Sequence, residues 1–188
     1  SFGPGVTIDV VGRDEALEVA AELLSGDVAP AAGEAFGTVG GVRTTFRLTT
    51  RWDGSSQESW TEIDCALPPG CPLLLQLRPR EWRDTERVLL GDRNYIKVGH
   101  DAFDDAFLIE GAPADVVRGL LDRDARTWLL AARHAELTTE TGRILRMALY
   151  GWLEEAKSIE PALKLAGRLA RHLREATRQA DPVSGPSQ

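Results

Sequence analysis

The densest run of ligand-type side chains in the sequence is His100-Asp101-Ala102-Phe103-Asp104-Asp105. Carboxylates are hard oxygen donors, so His100, Asp101, Asp104 and Asp105 are the candidate ligands of a divalent cation. The run lacks the ligand spacing of a calcium loop. The competing reading is a helical turn between two strands, with Asp101 capping and Asp104 near the positive end of the helix dipole.

Cys65 and Cys71 flank the loop of an expected hairpin, and the register that pairs Ile63 with Leu73 sets the two thiols opposite each other. A cross-strand disulfide fits that geometry. The lack of a secretory signal favours the alternative, two reduced thiols packed as small apolar groups. Two cysteines this close, with no histidine nearby, do not make a zinc site.

A third candidate is cationic. Lys164, Arg168, Arg171, Arg174 and Arg178 follow one another at intervals of three or four, so they share a broad helix face. Such a face suits an anionic partner or a membrane surface; it is also what a solvated helix C-terminus looks like. Trp60 falls on the outer side of an expected strand, near Arg47 and Arg51, either as a contact residue or covered by the first or last helix. Gly37-Thr38-Val39-Gly40-Gly41 lacks the Lys-Ser or Lys-Thr of a phosphate loop and reads as a turn. No nucleophile elbow, His-Glu-x-x-His, Cys-x-x-Cys or dinucleotide fingerprint occurs. No catalytic residue and no cofactor is therefore nominated.

These groups sit in a chain of 188 residues, enough for one core. Its net charge of −7 argues against nucleic acid as a partner, because that affinity comes from Lys and Arg at phosphates. No run of eighteen apolar residues occurs, so no transmembrane segment is expected in this stretch. Nor does the start, Ser1-Phe2-Gly3-Pro4-Gly5, look like a signal peptide. Lys97, Lys157 and Lys164 are the lysines; the preference for Arg suggests a bacterial source.

The elements that must position these groups follow from periodicity. Val6 to Val11 is expected as a strand, then a helix to Leu24 burying Leu17, Ala20, Ala21 and Leu24, stopped by Ser25-Gly26. Asp27 to Gly33 reads as a loop, with an open edge strand near Phe36. Val42, Phe46, Leu48 and Trp52 alternate with Arg43, Arg47 and Arg51, the period of a half-buried strand. A turn at Gly54-Ser55 sets Arg51 against Glu58, Arg47 against Glu62, Thr45 against Asp64 and Phe46 against Ile63. A second hairpin through Pro68-Pro69-Gly70 sets Leu73, Leu75 and Leu77 against Ile63, Thr61 and Ser59. Further strands are expected at Val88–Leu90, Tyr95–Val98, Ala106–Glu110, Glu136–Thr138 and Arg143–Tyr150. Helices are expected from Pro113, from a cap at Asp122, and from Ser158 to about Arg178 with Ile159, Leu163, Ala166, Leu169, Ala170 and Leu173 inward. Residues 181–188 have the composition of a disordered tail.

Val98-Gly99-His100-Asp101-Ala102-Phe103-Asp104-Asp105-Ala106-Phe107, with Ile109, Gly111 and the Leu120-Leu121 and Leu129-Leu130 pairs, resembles a bacterial family of domains of unknown function. Its signature is a Gly-x-x-x-Phe-Asp-x-x-Phe run, matched over about Tyr95 to Leu173, and many members are membrane-anchored. The resemblance implies no catalytic residue; Phe103 and Phe107 read as core anchors and Asp104 as a cap.

The expectation is a single α+β domain over residues 1–180: an antiparallel meander sheet of about six to eight strands, packed against N-terminal and C-terminal helices. Functionally it reads as a non-enzymatic interaction or regulatory module in a bacterial cytoplasm, with a protein partner. Membrane association enters if the chain is a piece of a longer protein. The alternative is a divalent-metal protein or metal-dependent enzyme using residues 100–105.

Overall fold

A computed structural model of the chain describes residues 10–52, 54–71, 73–81, 84, 95–132, 134–140 and 142–180. The expected strand at Val88–Leu90, Trp82, the start of the Val6–Val11 segment and the tail lie outside them. Val10 and Val11 open the first helix instead of ending a strand.

One eight-stranded antiparallel sheet carries the fold, in the order β1-β2-β3-β4-β8-β7-β5-β6. Its strands are β1 (Asp27–Ala29), β2 (Glu34–Val39), β3 (Val42–Trp52), β4 (Gln57–Ala66), β5 (Leu74–Pro79), β6 (Phe107–Ala112), β7 (Ala135–Glu140) and β8 (Ile144–Tyr150). The described helices are α1 (Val10–Leu23), α2 (Asp101–Ala106), α3 (Ala114–Leu120), α4 (Arg123–Ala131) and α5 (Ala156–Ala180). They contribute to a single apolar cluster with one face of the sheet. All the α1 and α5 residues expected to point inward are buried.

Alternation sets the core. Phe46 and Leu48 of β3, Ile63 of β4, Met147 and Leu149 of β8, and Leu75 and Leu77 of β5 point to the helices and are buried. The β3–β4 register matches the expectation at Arg51–Glu58, Arg47–Glu62, Thr45–Asp64 and Phe46–Ile63. Complementary side chains and a turn of low closure entropy act together there.

The second hairpin does not form. β4 pairs on its other side with β8, setting Ile63 against Met147 and Thr61 against Leu149. β5 lies two strands further out, between β6 and β7. Both β5 and β8 present an alternating apolar row, so periodicity alone could not choose between them. Only Gln76–Thr138 and Leu77–Leu137 pair across β5 and β7. Beyond them the Thr139 hydroxyl takes over, accepting from Leu75 N at 2.9 Å and donating to Leu73 O at 3.0 Å.

The stretch from Asp27, expected as a loop, supplies β1, which covers the strand through Phe36 by pairing Asp27 with Phe36 and Ala29 with Glu34. Ser25, in the left-handed region at φ 50°, closes α1. Its N–H donates to Glu22 O and Gly26 N–H to Ala21 O, a Schellman closure. Asp122 caps α4 as expected, accepting from Ala125 N at 2.8 Å.

Candidate functional site

The side chains of opposite parity form the second face of the sheet, and among the described helices none supplies its cover. At its centre lie two carboxylates, Glu62 and Asp64, each only 9% exposed. Long guanidinium side chains from the flanking strands cover them. Arg47 reaches Asp64 at 3.0 Å, Glu62 at 3.6 Å and Glu34 at 2.9 Å. Arg146 holds Asp64 through Nε at 2.7 Å and Nη2 at 2.8 Å, and Glu140 at 2.7 Å. Arg51 bridges Glu62 at 3.0 Å and Glu136 at 2.9 Å. Hydrogen bonds to Asp64, working against partial burial, hold the Arg146 guanidinium above its ordinary pKa.

Arg47–Glu34 and Arg146–Asp64 pair directly across neighbouring strands, and Arg47–Glu62 does so at 3.6 Å as the register suggested. Arg47–Asp64 and Arg146–Glu140 run diagonally. Arg51 does not pair with Glu58 opposite it but reaches Glu62, four residues further along β4. Glu58 instead accepts from Trp60 Nε1 at 3.3 Å. Among the described residues the lattice joins five carboxylates to three guanidinium groups.

Trp60 stands opposite Thr49 on this face, as expected, but it is buried at 7% exposure and so is not an exposed contact residue. The Arg51 guanidinium lies over the indole at 4.2 Å, and the Tyr150 ring meets it edge-on at 5.6 Å. Tyr150 itself is half exposed, with Phe36 and Leu74 also exposed on this face. A cavity of about 460 Å³ opens beside Trp60, with Glu58, Glu81, Glu136, His134 and Tyr150 among its walls. A second, of about 550 Å³, lies over Phe36, Arg43, Thr45 and Asp64.

The other sequence candidates lie elsewhere. His100 caps α2, with Phe103 N donating to its Nδ1 at 3.3 Å, the role expected of Asp101. Asp104 accepts from the backbone N–H groups of Val98, Gly99 and His100 at 2.9, 3.1 and 3.2 Å. It closes the loop before the helix. Asp105 is exposed and lies 3.8 Å from Arg80. Among the described residues, no three His, Cys, Asp or Glu side chains converge to hold a metal ion. Phe103 and Phe107 are buried in the core, their ring centroids 4.8 Å apart.

The basic residues of α5 are on the helix layer, across the sheet from Trp60, and several hold the fold together. Arg168 pairs with both oxygens of Asp122, depressing that carboxyl's pKa. Lys164 pairs with Glu160 at 2.6 Å. Arg174 donates to Gly41 O at 3.2 Å and Ala66 O at 3.4 Å, while Arg171 lies against Gly40. Arg178 is exposed in the last turn.

Cys65 and Cys71 are buried free thiols; the hairpin that would have faced them is absent, and Cys65 pairs with Leu145. Burial, offset in part by the Thr44 hydroxyl, pushes the Cys65 thiol up to about 11. Native Cys65 is expected to react with iodoacetamide at pH 8 about a hundredfold more slowly than in urea, from its thiolate fraction alone. Equal rates, followed by mass spectrometry, would contradict the burial. Because the folded pKa is raised, Cys65 costs no stability below about pH 9. Its contribution falls as pH climbs from there through about 11.

The architecture defines an α+β domain built on an eight-stranded antiparallel sheet, with one face covered by helices and the other, among the described residues, without a helix over it. No protein-family model and no curated protein matches the chain. Among solved structures it is similar to the crystal structure of the mycobacterial trehalose monomycolate transport factor A, TtfA. Identity is 14%, covering 93% of this chain and 99% of that chain, with a TM-score of 0.39. A likeness at that distance bears on neither the site nor the activity. No described helix is long and apolar enough to cross a membrane.

Sequence reasoning missed the lattice as a unit. Glu136, Glu140 and Arg146 lie some eighty residues from Glu62 and Asp64, and only the β4–β8 pairing unites them. The signal available was the charge at alternate positions of the β7–β8 hairpin.

Proposed function

We propose that the protein is a non-enzymatic interaction module of a bacterial protein, and that its working surface is the open face of the sheet. One observation carries the reading: Phe36, Leu74 and Tyr150 stand exposed there around a charge lattice made rigid by its own ion pairs. Apolar and aromatic side chains around a pre-organised polar centre suit recognition, since little side-chain entropy remains to be lost on docking. The excess of carboxylates over guanidinium groups favours a protein partner with a basic contact surface. Two unbridged thiols fit a reducing cytoplasm.

A photo-crosslinking amino acid at Phe36 or Tyr150, in the native cell, is expected to capture the same protein from both positions. The same group at Glu18 of α1 or Arg178 of α5 is expected to capture none. Crosslinks from the helix positions alone, or from no position, would remove the open face as the working surface.

A further inference from the structure

At the end of the open face nearest the β2–β3 turn, short side chains leave a depression beside the charge lattice. Thr45 and Ala66 line the 550 Å³ cavity there, walled by Phe36, Arg43, Arg47 and Ile144. Strand pairing lays this out: Phe36 stands opposite Thr45, Thr38 opposite Arg43, and Ile144 opposite Ala66. Two of the three charged groups lining the cavity are already matched. Arg47 is taken up by Glu34, Glu62 and Asp64. Asp64 in turn is shared between Arg47 and Arg146. Arg43 is the exception. It is exposed, and among the described residues no carboxylate comes within ion-pair distance of it. Beside it the Phe36 ring is 44% exposed. A guanidinium presents a fork of donors that fits a carboxylate with two parallel hydrogen bonds.

We propose that this depression receives a carboxylate side chain of the partner protein, bound by Arg43, with an apolar neighbour of that carboxylate packed on Phe36 and Ile144. The inference rests on the open face being the docking surface, and adds a charge that the lattice as a whole does not suggest. Charge complementarity selects the occupant. A cation would be repelled by Arg43, and a neutral side chain would leave its donors to water. A carboxylate gives Arg43 what Glu34 and Asp64 give Arg47. Because the neighbouring charges are held by one another, Arg43 is the group left to tell one partner from another. A partner fitted to this face therefore sets basic residues against the lattice and an acidic one against Arg43, a pattern that fixes register as well as affinity.

The test uses the whole chain, labelled with nitrogen-15, and the peptide acetyl-Gly-Glu-Leu-Gly-amide, followed by two-dimensional NMR. Shifts are expected at the amides of Thr38, Arg43 and Thr45 and at the Arg43 Nε–H signal. The glutamine peptide, of the same shape without the charge, should leave those signals in place. Binding should weaken about fivefold in Arg43→Gln, and again as salt rises from about 20 to about 200 mM. Arg43→Lys should keep part of the affinity, and Phe36→Ala should lose about threefold through the apolar contact. Since Arg43 pairs with nothing in the fold, its variants should melt where the native protein does, so that lost binding is not lost folding. An unchanged affinity in Arg43→Gln, equal shifts at Arg171 and Arg178 of α5, or no shift up to about 10 mM peptide would each overturn the assignment. Crosslinks from Phe36 and Tyr150 that form as well in Arg43→Gln as in the native protein would leave the face standing and remove the acidic anchor.

Discussion

Replacing Arg146 by methionine is expected to destabilise the protein by about 3 kcal/mol, lowering the melting midpoint by roughly 10 °C. The size follows from burial and not from the number of bonds. Exposed ion pairs contribute about 0.2–1 kcal/mol, because water screens them and two long side chains must be ordered. Here the acceptors Asp64 and Glu62 are almost excluded from solvent, and Arg146 supplies two of the three close contacts to Asp64. Removing it leaves the buried Asp64 with Arg47 alone at 3.0 Å, while Glu62 keeps Arg51 at 3.0 Å. Methionine retains the apolar stem, so the lost charge and not a lost volume is what the measurement reads. Urea denaturation of Arg146→Met, Asp64→Asn and the double variant provides the check. Asp64→Asn should recover part of the loss, since it removes the carboxylate that Arg146 neutralised. As a contrast, Arg168→Met breaks a pair whose Asp122 partner is half exposed, and should cost less than about 1 kcal/mol. A cost below about 1 kcal/mol for Arg146→Met as well would mean that the lattice behaves as ordinary solvated surface.

The second large effect is steric. Gly26→Ala is expected to cost on the order of 3 kcal/mol, or to prevent folding. A Cβ at position 26 would lie 1.9 Å from Phe36 O and 2.7 Å from Gly37 Cα, so the obstacle is backbone and not a side chain that can swing aside. Relief requires α1 to move off β2. That would break the bond from Thr38 N to Leu24 O at 2.8 Å, which clasps the helix end to the strand. Conformation is not the issue at Gly26; its neighbour Ser25 is the residue in the left-handed region. Ser25→Gly is therefore the matched control, expected to gain about 0.5–1 kcal/mol by removing the left-handed penalty. Thermal melts of the two variants should move in opposite directions. A small loss in Gly26→Ala would show that the helix and the sheet are not closely docked at this point.

Local patterns settled much of this protein. The apolar faces of α1 and α5 are set by spacing, because a helix with one greasy stripe has one way to bury it. The β3–β4 register follows from a tight turn combined with arginines facing carboxylates, where a one-residue slip would turn both faces over. The cap at Asp122 and the β7–β8 hairpin are equally local. Phe103 and Phe107 could be read as core residues from residue type alone. Tertiary structure decided which strand lies beside β4. β5 and β8 offer the same inward row of large apolar residues, and closing a longer loop costs only slightly more, so the total packing makes the choice. That single decision separates Cys65 from the strand expected to face it, and brings Arg146 against Asp64. It also sets Tyr150 against Trp60. The open face is therefore a product of long-range pairing: its residues are scattered over more than a hundred positions, and no local period could have assembled them.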